Sequence, residues 1–198
     1  MTQTGQPLRI QNPERIDAAA IRAAIAGGQQ VLVQFNTLAE PEPLLADLDT
    51  LAATCGTALT IRIYGYDPRV FDARILRALP HVASLSIDCH RNALYLETLG
   101  ELRHLKHLSL GVYELAQADI LQLENLRGLE YLNLGESAKN NIDLAPLRHY
   151  THLASLVIEG HHQHIDTLAG LPALHELSLY RIKNKVPLDF ISQMARLD

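Results

Sequence analysis

From Ala73 to Leu179 the apolar positions fall every third residue and then switch to every second, five times over. Leu96, Leu99, Leu102, Leu105, Leu108 and Leu110 form the cleanest unit. Ile120, Leu123, Leu126, Leu129, Leu132 and Leu134 repeat it, followed by the units Leu144 to Ile158 and Ile165 to Leu179. A weaker copy, Ala73, Leu76, Leu79, Val82, Leu85 and Ile87, comes first. Steps of three drift off one α-helical face by about 60° each, so one long amphipathic helix does not hold this run. The closing pair of each unit has the two-residue period of a strand with one buried face. Each unit therefore predicts a short helix or 3-10 segment, a bend and a short strand. The first strand leucines, Leu85, Leu108, Leu132, Leu156 and Leu177, lie 23, 24, 24 and 21 residues apart. A near-constant period in the twenties with one strand per unit is the signature of a stacked repeat array.

The core pattern L-x-x-L-x-L is carried by Leu105 to Leu110, Leu129 to Leu134, Leu153 to Ile158 and Leu174 to Leu179. On these residues the chain resembles the leucine-rich repeat family, and the run Ile142 to Leu147 resembles the strand-to-helix return of bacterial, internalin-like repeats. The resemblance spans roughly residues 57 to 198. It implies an α/β solenoid with a curved parallel sheet on the concave face and short helices or 3-10 segments on the convex face. The family usually places Asn three residues past the second strand leucine. Here those positions hold His90, Tyr113, Ser137, His161 and Ile182.

Residues 1–11 are polar and are expected to be poorly ordered. Asn12-Pro13-Glu14 predicts a helix start, followed by a strand at Val31 to Phe35 and a second helix from Pro43 to Gly56. Ile61 in the next strand precedes Leu85 by 24 residues and is in phase with the repeats. Residues 12–56 thus read as an N-terminal helical cap or a divergent first repeat, and 57–198 as repeats with the last one incomplete. Leu188, Ile191, Met194 and Leu197 match the first four positions of a further unit, whose strand leucine would fall at position 200. With no polar capping helix, the reading favoured is a piece of a longer protein, over a lid made by the half-repeat. An open solenoid end also offers a homodimer contact.

A formal net charge of −5 without a basic run argues against a general nucleic-acid binder. Cys55 and Cys89 make no disulfide framework, which fits a reducing compartment. No leader pattern and no run of about 18 apolar residues occurs, so the expectation is a cytoplasmic protein away from membranes, or one exported by a specialised system.

Residues that alternate with the buried strand pair point outward in three rows. They are Thr60, Ser84, His107, Tyr131, Ser155, Glu176; then Arg62, Ser86, Ser109, Asn133, Val157, Ser178; then Tyr64, Asp88, Gly111, Gly135, Glu159, Tyr180. The partner-binding candidates are Arg62, Tyr64, Asp88, His107, Tyr131, Asn133, Glu159, Glu176 and Tyr180. Gly111 and Gly135 leave either a notch flanked by Asp88 and Glu159 or a turn with positive φ. Ser86, Asp88, His107 and Ser109 suggest a hydrolase, but strand spacing holds Asp88 about 13 Å and Ser109 nearly 7 Å from His107, so no catalytic residue is assigned. His161, His162 and His164 fall short of a four-ligand zinc set, and no metal or cofactor is expected. His81, His104 and His152 share one column at the bend before the strand, interrupted by Gly128, so that His81 and His104 make at most a pair. The function expected is non-enzymatic binding of a protein partner, in an adaptor, effector, immunity or regulatory role. The alternative is the recognition part of a longer enzyme.

Overall fold

The run of threes suits a 3-10 helix, whose three residues per turn put positions i and i+3 on one side. In the computed structural model these runs become 3-10 turns over Ala73–Ala78, Leu96–Glu101, Glu124–Gly128, Ala145–His149 and Ile165–Gly170. The structure describes residues 6–36, 41–65, 70–117, 119–135, 142–160, 162–182, 187–194 and 196–197. The strands are β1 (Leu8–Gln11), β2 (Val31–Phe35), β3 (Leu59–Tyr64), β4 (Phe71–Asp72), β5 (Ser84–Leu94), β6 (His107–Glu114), β7 (Tyr131–Leu134), β8 (Ser155–Glu159) and β9 (Glu176–Tyr180). The main sheet has the order β1-β2-β3-β5-β6-β7-β8-β9, with β4 against β5, and the pairings are parallel. Leu85, Leu108, Leu132 and Leu156 adjoin one another across this sheet, each 1% exposed or less. Each such side chain contributes roughly 1.5–3 kcal/mol by leaving water.

The N-terminal region differs from the sequence expectation in two places. Leu8–Gln11, within the stretch expected to be poorly ordered, forms β1 and pairs with β2. Alternation is the reason: Leu8 and Ile10 pack on the core while Arg9 and Gln11 stay exposed. The first helix, α1, spans Ala18–Ala26 and begins five residues later than Pro13; its cap is Asp17, which accepts from the Ala20 N–H at 3.0 Å. Asn12 is drawn elsewhere, its amide bonded to the side chain and N–H of Asn36 one unit on. α2 spans Pro41–Cys55. The two helices back strands that belong to the same sheet as the repeats.

Between β5 and β6 the ladder slips. Ile87 faces Leu110 and His90 faces Val112, so Asp88 and Cys89 together oppose Gly111, with Cys89 at φ +57°. This β-bulge re-aims the end of β5. Neither Gly111 nor Gly135 has positive φ, unlike Gly28, Gly56 and Gly160. Close approach of backbones explains them instead. A Cβ on Gly135 would sit 3.0 Å from Gly111 Cα, and one on Gly111 would sit 3.2 Å from Asp88 Cβ. Gly135→Ala is expected to cost about 1–3 kcal/mol by forcing β6 and β7 apart. A denaturant midpoint unchanged by the substitution would contradict this close fit.

His90 stands where the family usually has Asn. It is buried, with Nε2 3.0 Å from the Ile63 carbonyl and its ring stacked on Phe71 at 4.7 Å. Burial pushes its pKa below the usual histidine range, against the raising effects of the Ile63 contact and Asp88. The folded state therefore prefers neutral His90, while the unfolded chain protonates it at about pH 6.5. Its share of stability is complete above that pH and is lost as pH falls toward the lowered folded value. Melting at about pH 7.5 and about pH 5 should show a smaller gap for His90→Phe than for the native chain. An equal gap would place the acid sensitivity elsewhere.

Candidate functional site

Strand register assembles two of the three outward rows in full. Thr60, Ser84, His107, Tyr131, Ser155 and Glu176 are successive partners, as are Arg62, Ser86, Ser109, Asn133, Val157 and Ser178. β1 and β2 lengthen both rows, adding Arg9 and Leu32 to the first and Gln11 and Gln34 to the second. Over this N-terminal half the concave face holds an open hollow of about 610 Å³, lined by Arg9, Leu32, Thr60, Ser86, His107 and Tyr131 among others. Its floor is polar and satisfied: the Thr60 and Ser84 hydroxyls lie 2.9 Å apart.

Arg62, Tyr64 and Asp88 come together, but they satisfy one another. The Arg62 Nε–H donates to both Asp88 carboxylate oxygens at 3.0 Å, and Nη2 lies 2.9 Å from Oδ1. Nη1 donates to Gln34 Oε1 at 3.1 Å, and Gln34 in turn donates to Gln11. The Ser86 hydroxyl donates to Asp88 Oδ2 at 3.1 Å. The guanidinium also lies 4.4 Å from the Tyr64 ring, and Tyr64 is buried rather than standing out as an interface anchor. This network ties β1, β2, β3 and β5 across the concave surface. Glu159 is likewise paired, with Arg181 Nη1 3.1 Å away, so both acids flanking the glycines already have a cation.

His107, Tyr131 and Asn133 form a second group. The His107 and Tyr131 rings meet edge-on at 5.8 Å. Burial lowers the His107 pKa despite Glu130, and burial raises that of Tyr131, with an opposing hydrogen bond to Asn133. Both side chains are therefore neutral near pH 7, an amphipathic pair at the wall of the hollow. Among the described residues no carboxylate hydrogen-bonds to His107, and Asp88 is committed to Arg62 and Ser86. Glu176 and Tyr180 sit on the outermost strand, both exposed, and Tyr180 pairs in register with Glu159.

The histidines divide. His81 holds Asp49, with Nδ1 2.8 Å from Oδ2, and its ring lies 5.5 Å from that of His104. His164 Nδ1 lies 2.7 Å from Asp143 Oδ1, while the buried His162 has Nε2 3.2 Å from the Glu159 carbonyl. His161 is outside the described residues. Among the described residues no group of three or more His, Cys, Asp or Glu side chains is placed to hold a metal ion.

One strand per unit, all strands parallel, and a 3-10 turn behind each later strand define the architecture. The fold is a leucine-rich repeat solenoid with internalin-like repeats. No family model and no curated protein matches the sequence. Among solved structures, the solenoid is similar to internalin C2 of Listeria monocytogenes, with a TM-score of 0.55 and 20% identity over 83% of this chain and 65% of that one. It is similar to internalin F of the same organism, with a TM-score of 0.59 and 18% identity over 93% of this chain and 50% of the other. A chain of the Toll–Spatzle complex from Drosophila aligns with a TM-score of 0.59 and 16% identity over 96% of this chain and 25% of its own length. The leucine-rich repeat chain thus spans from a quarter to about two thirds of these neighbours. Among its described residues no helix is long and apolar enough to cross a membrane.

Proposed function

We propose that this solenoid is a non-enzymatic protein-interaction module that takes its partner on the concave sheet. The observation that carries the reading is the hollow of about 610 Å³ over the N-terminal strands, walled by the neutral His107–Tyr131 pair. Tyrosine is enriched at protein interfaces and at their hot spots, and here it stands beside a floor of small hydroxyl residues that leaves room for a partner's side chains. The Toll–Spatzle neighbour was itself solved as a complex. The free thiols of Cys55 and Cys89 favour a reducing compartment such as the cytoplasm. An adaptor, effector, immunity or regulatory role is the setting proposed for it.

The test is affinity capture from native lysate with Ser109→Arg, which fills the floor, and Tyr131→Ala, which removes the wall. Partner loss by both variants, with melting curves like that of the native chain, supports the concave site. Undiminished capture by folded variants sinks it.

A further inference from the structure

Of the six large apolar side chains left exposed among the described residues, four lie on one flank: Val70, Leu94, Tyr95 and Tyr113. This flank is where β4, β5 and β6 run on past the bulge, off the concave face. Beside it is a second hollow of about 420 Å³, whose lining includes the apolar Ala93, Leu94, Tyr95 and Ala116 and the carboxylates of Glu97 and Asp119. The backbone aims these groups. Tyr95 takes φ +59°, which turns the chain sharply out of β5 and leaves its ring exposed. Asp119 precedes the 3-10 turn Ile120–Gln122 but makes no capping bond with its side chain.

Among the described residues, charge on the flank is unbalanced in one direction. Arg74 pairs with Asp72, Arg77 with Glu101, and Arg91 with Glu114. Glu97 and Asp119 have no ion pair among the described residues; Arg77 feels Glu97 only weakly, after its own partner Glu101. The hollow therefore offers an apolar wall and two carboxylates without an ion pair among the described residues. Arg74 already displays the matching chemistry, its guanidinium 4.3 Å from the Tyr95 ring.

We infer that this hollow docks a lysine or arginine side chain of a partner protein, the aliphatic stem along the exposed Leu94, Tyr95 and Ala116 and the cationic head at Glu97 and Asp119. A long basic side chain is the group that carries both parts: stem burial releases apolar surface, and the charged tip keeps its hydration beside the carboxylates. The size suits one or two side chains, not a helix. The site is independent of the concave face, so either can fail alone.

The experiment is amide NMR on the isotope-labelled full chain, titrated with n-pentylammonium, n-pentanol and methylammonium in parallel. Pentylammonium should shift the amides of Ala93 to Glu97, Ala116, Gln117 and Asp119, with pentanol and methylammonium each about tenfold weaker. The Glu97→Gln, Asp119→Asn variant, with its remaining spectrum unchanged, should lose about the same factor for pentylammonium only. Equal binding of pentanol would make the hollow a site for apolar groups, and equal binding of methylammonium would make it a cation contact without a stem. Either result, or pentylammonium shifts absent or spread elsewhere, overturns the inference.

Discussion

Tyr150→Ala is expected to cost about 3–5 kcal/mol of folding stability, the range for deleting a buried aromatic side chain. Other units place leucine in this column, at Leu79, Leu102, Leu126 and Leu171. Tyr150 is fully buried, and its hydroxyl donates to the Leu121 carbonyl at 3.0 Å. Burial pushes its pKa upward, so the phenol stays neutral and remains a donor. Two losses separate by substitution. Tyr150→Phe keeps the ring and leaves the Leu121 carbonyl without its donor, at about 1–3 kcal/mol. Tyr150→Ala adds the cavity. At roughly 2–4 °C per kcal/mol for a chain of this length, thermal melts resolve the two variants. A Tyr150→Ala midpoint within a degree or so of the native one would mean that the neighbouring units collapse into the space.

Arg62→Ala is expected to be the next most costly substitution, at about 2–4 kcal/mol. The side chains of Arg62 and Asp88 retain only 21% and 24% exposure, so removing the guanidinium leaves a mostly covered carboxylate with Ser86 as its remaining donor. Gln34, itself buried, loses a donor at the same time. Exposure of about a fifth places the effect below that of a fully buried pair. In a double-mutant cycle with Asp88→Ala, the double variant should be more stable than the two single losses added together, by about 1–2 kcal/mol. Strict additivity in denaturant unfolding would show that the ion pair contributes nothing. Charge reversal at Asp88 therefore tests the scaffold as much as any partner contact.

The repeat fold was legible because leucine spacing encodes two periods, three for the 3-10 turn and two for the strand, and burial enforces both. The concave rows were legible for the same reason, since register in a parallel sheet follows from the repeat length. Asp88 shows where this stops. Its place in a row follows from alternation, but its pairing with Arg62, 26 residues away, depends on the side chain reaching from one row to the next. The burial of Tyr64 was not legible, because alternation says nothing of a guanidinium lying over the ring. The bulge at Asp88 and Cys89 has no mark in hydrophobic spacing; the one clue was Gly111 on the facing strand, read as a notch or a turn. β1 went unseen because an alternation as short as Leu8-Arg9-Ile10 carries little signal. The lone Gln34 in an otherwise apolar strand was the available hint that the outward rows reach back beyond β3.

The sheet joins only strands that are neighbours in sequence, apart from the crossing over β4, with partners between 21 residues apart, as in Leu156 and Leu177, and 28 apart, as in Val31 and Leu59. These separations are roughly a tenth to a seventh of the chain, a modest loop-closure demand that is nearly equal at every step. No strand waits for a distant part of the chain to arrive. Units synthesised first can pair, bury their leucines and present a template edge while later ones are still emerging from the ribosome, and an array of this kind can equally start from any unit and grow both ways.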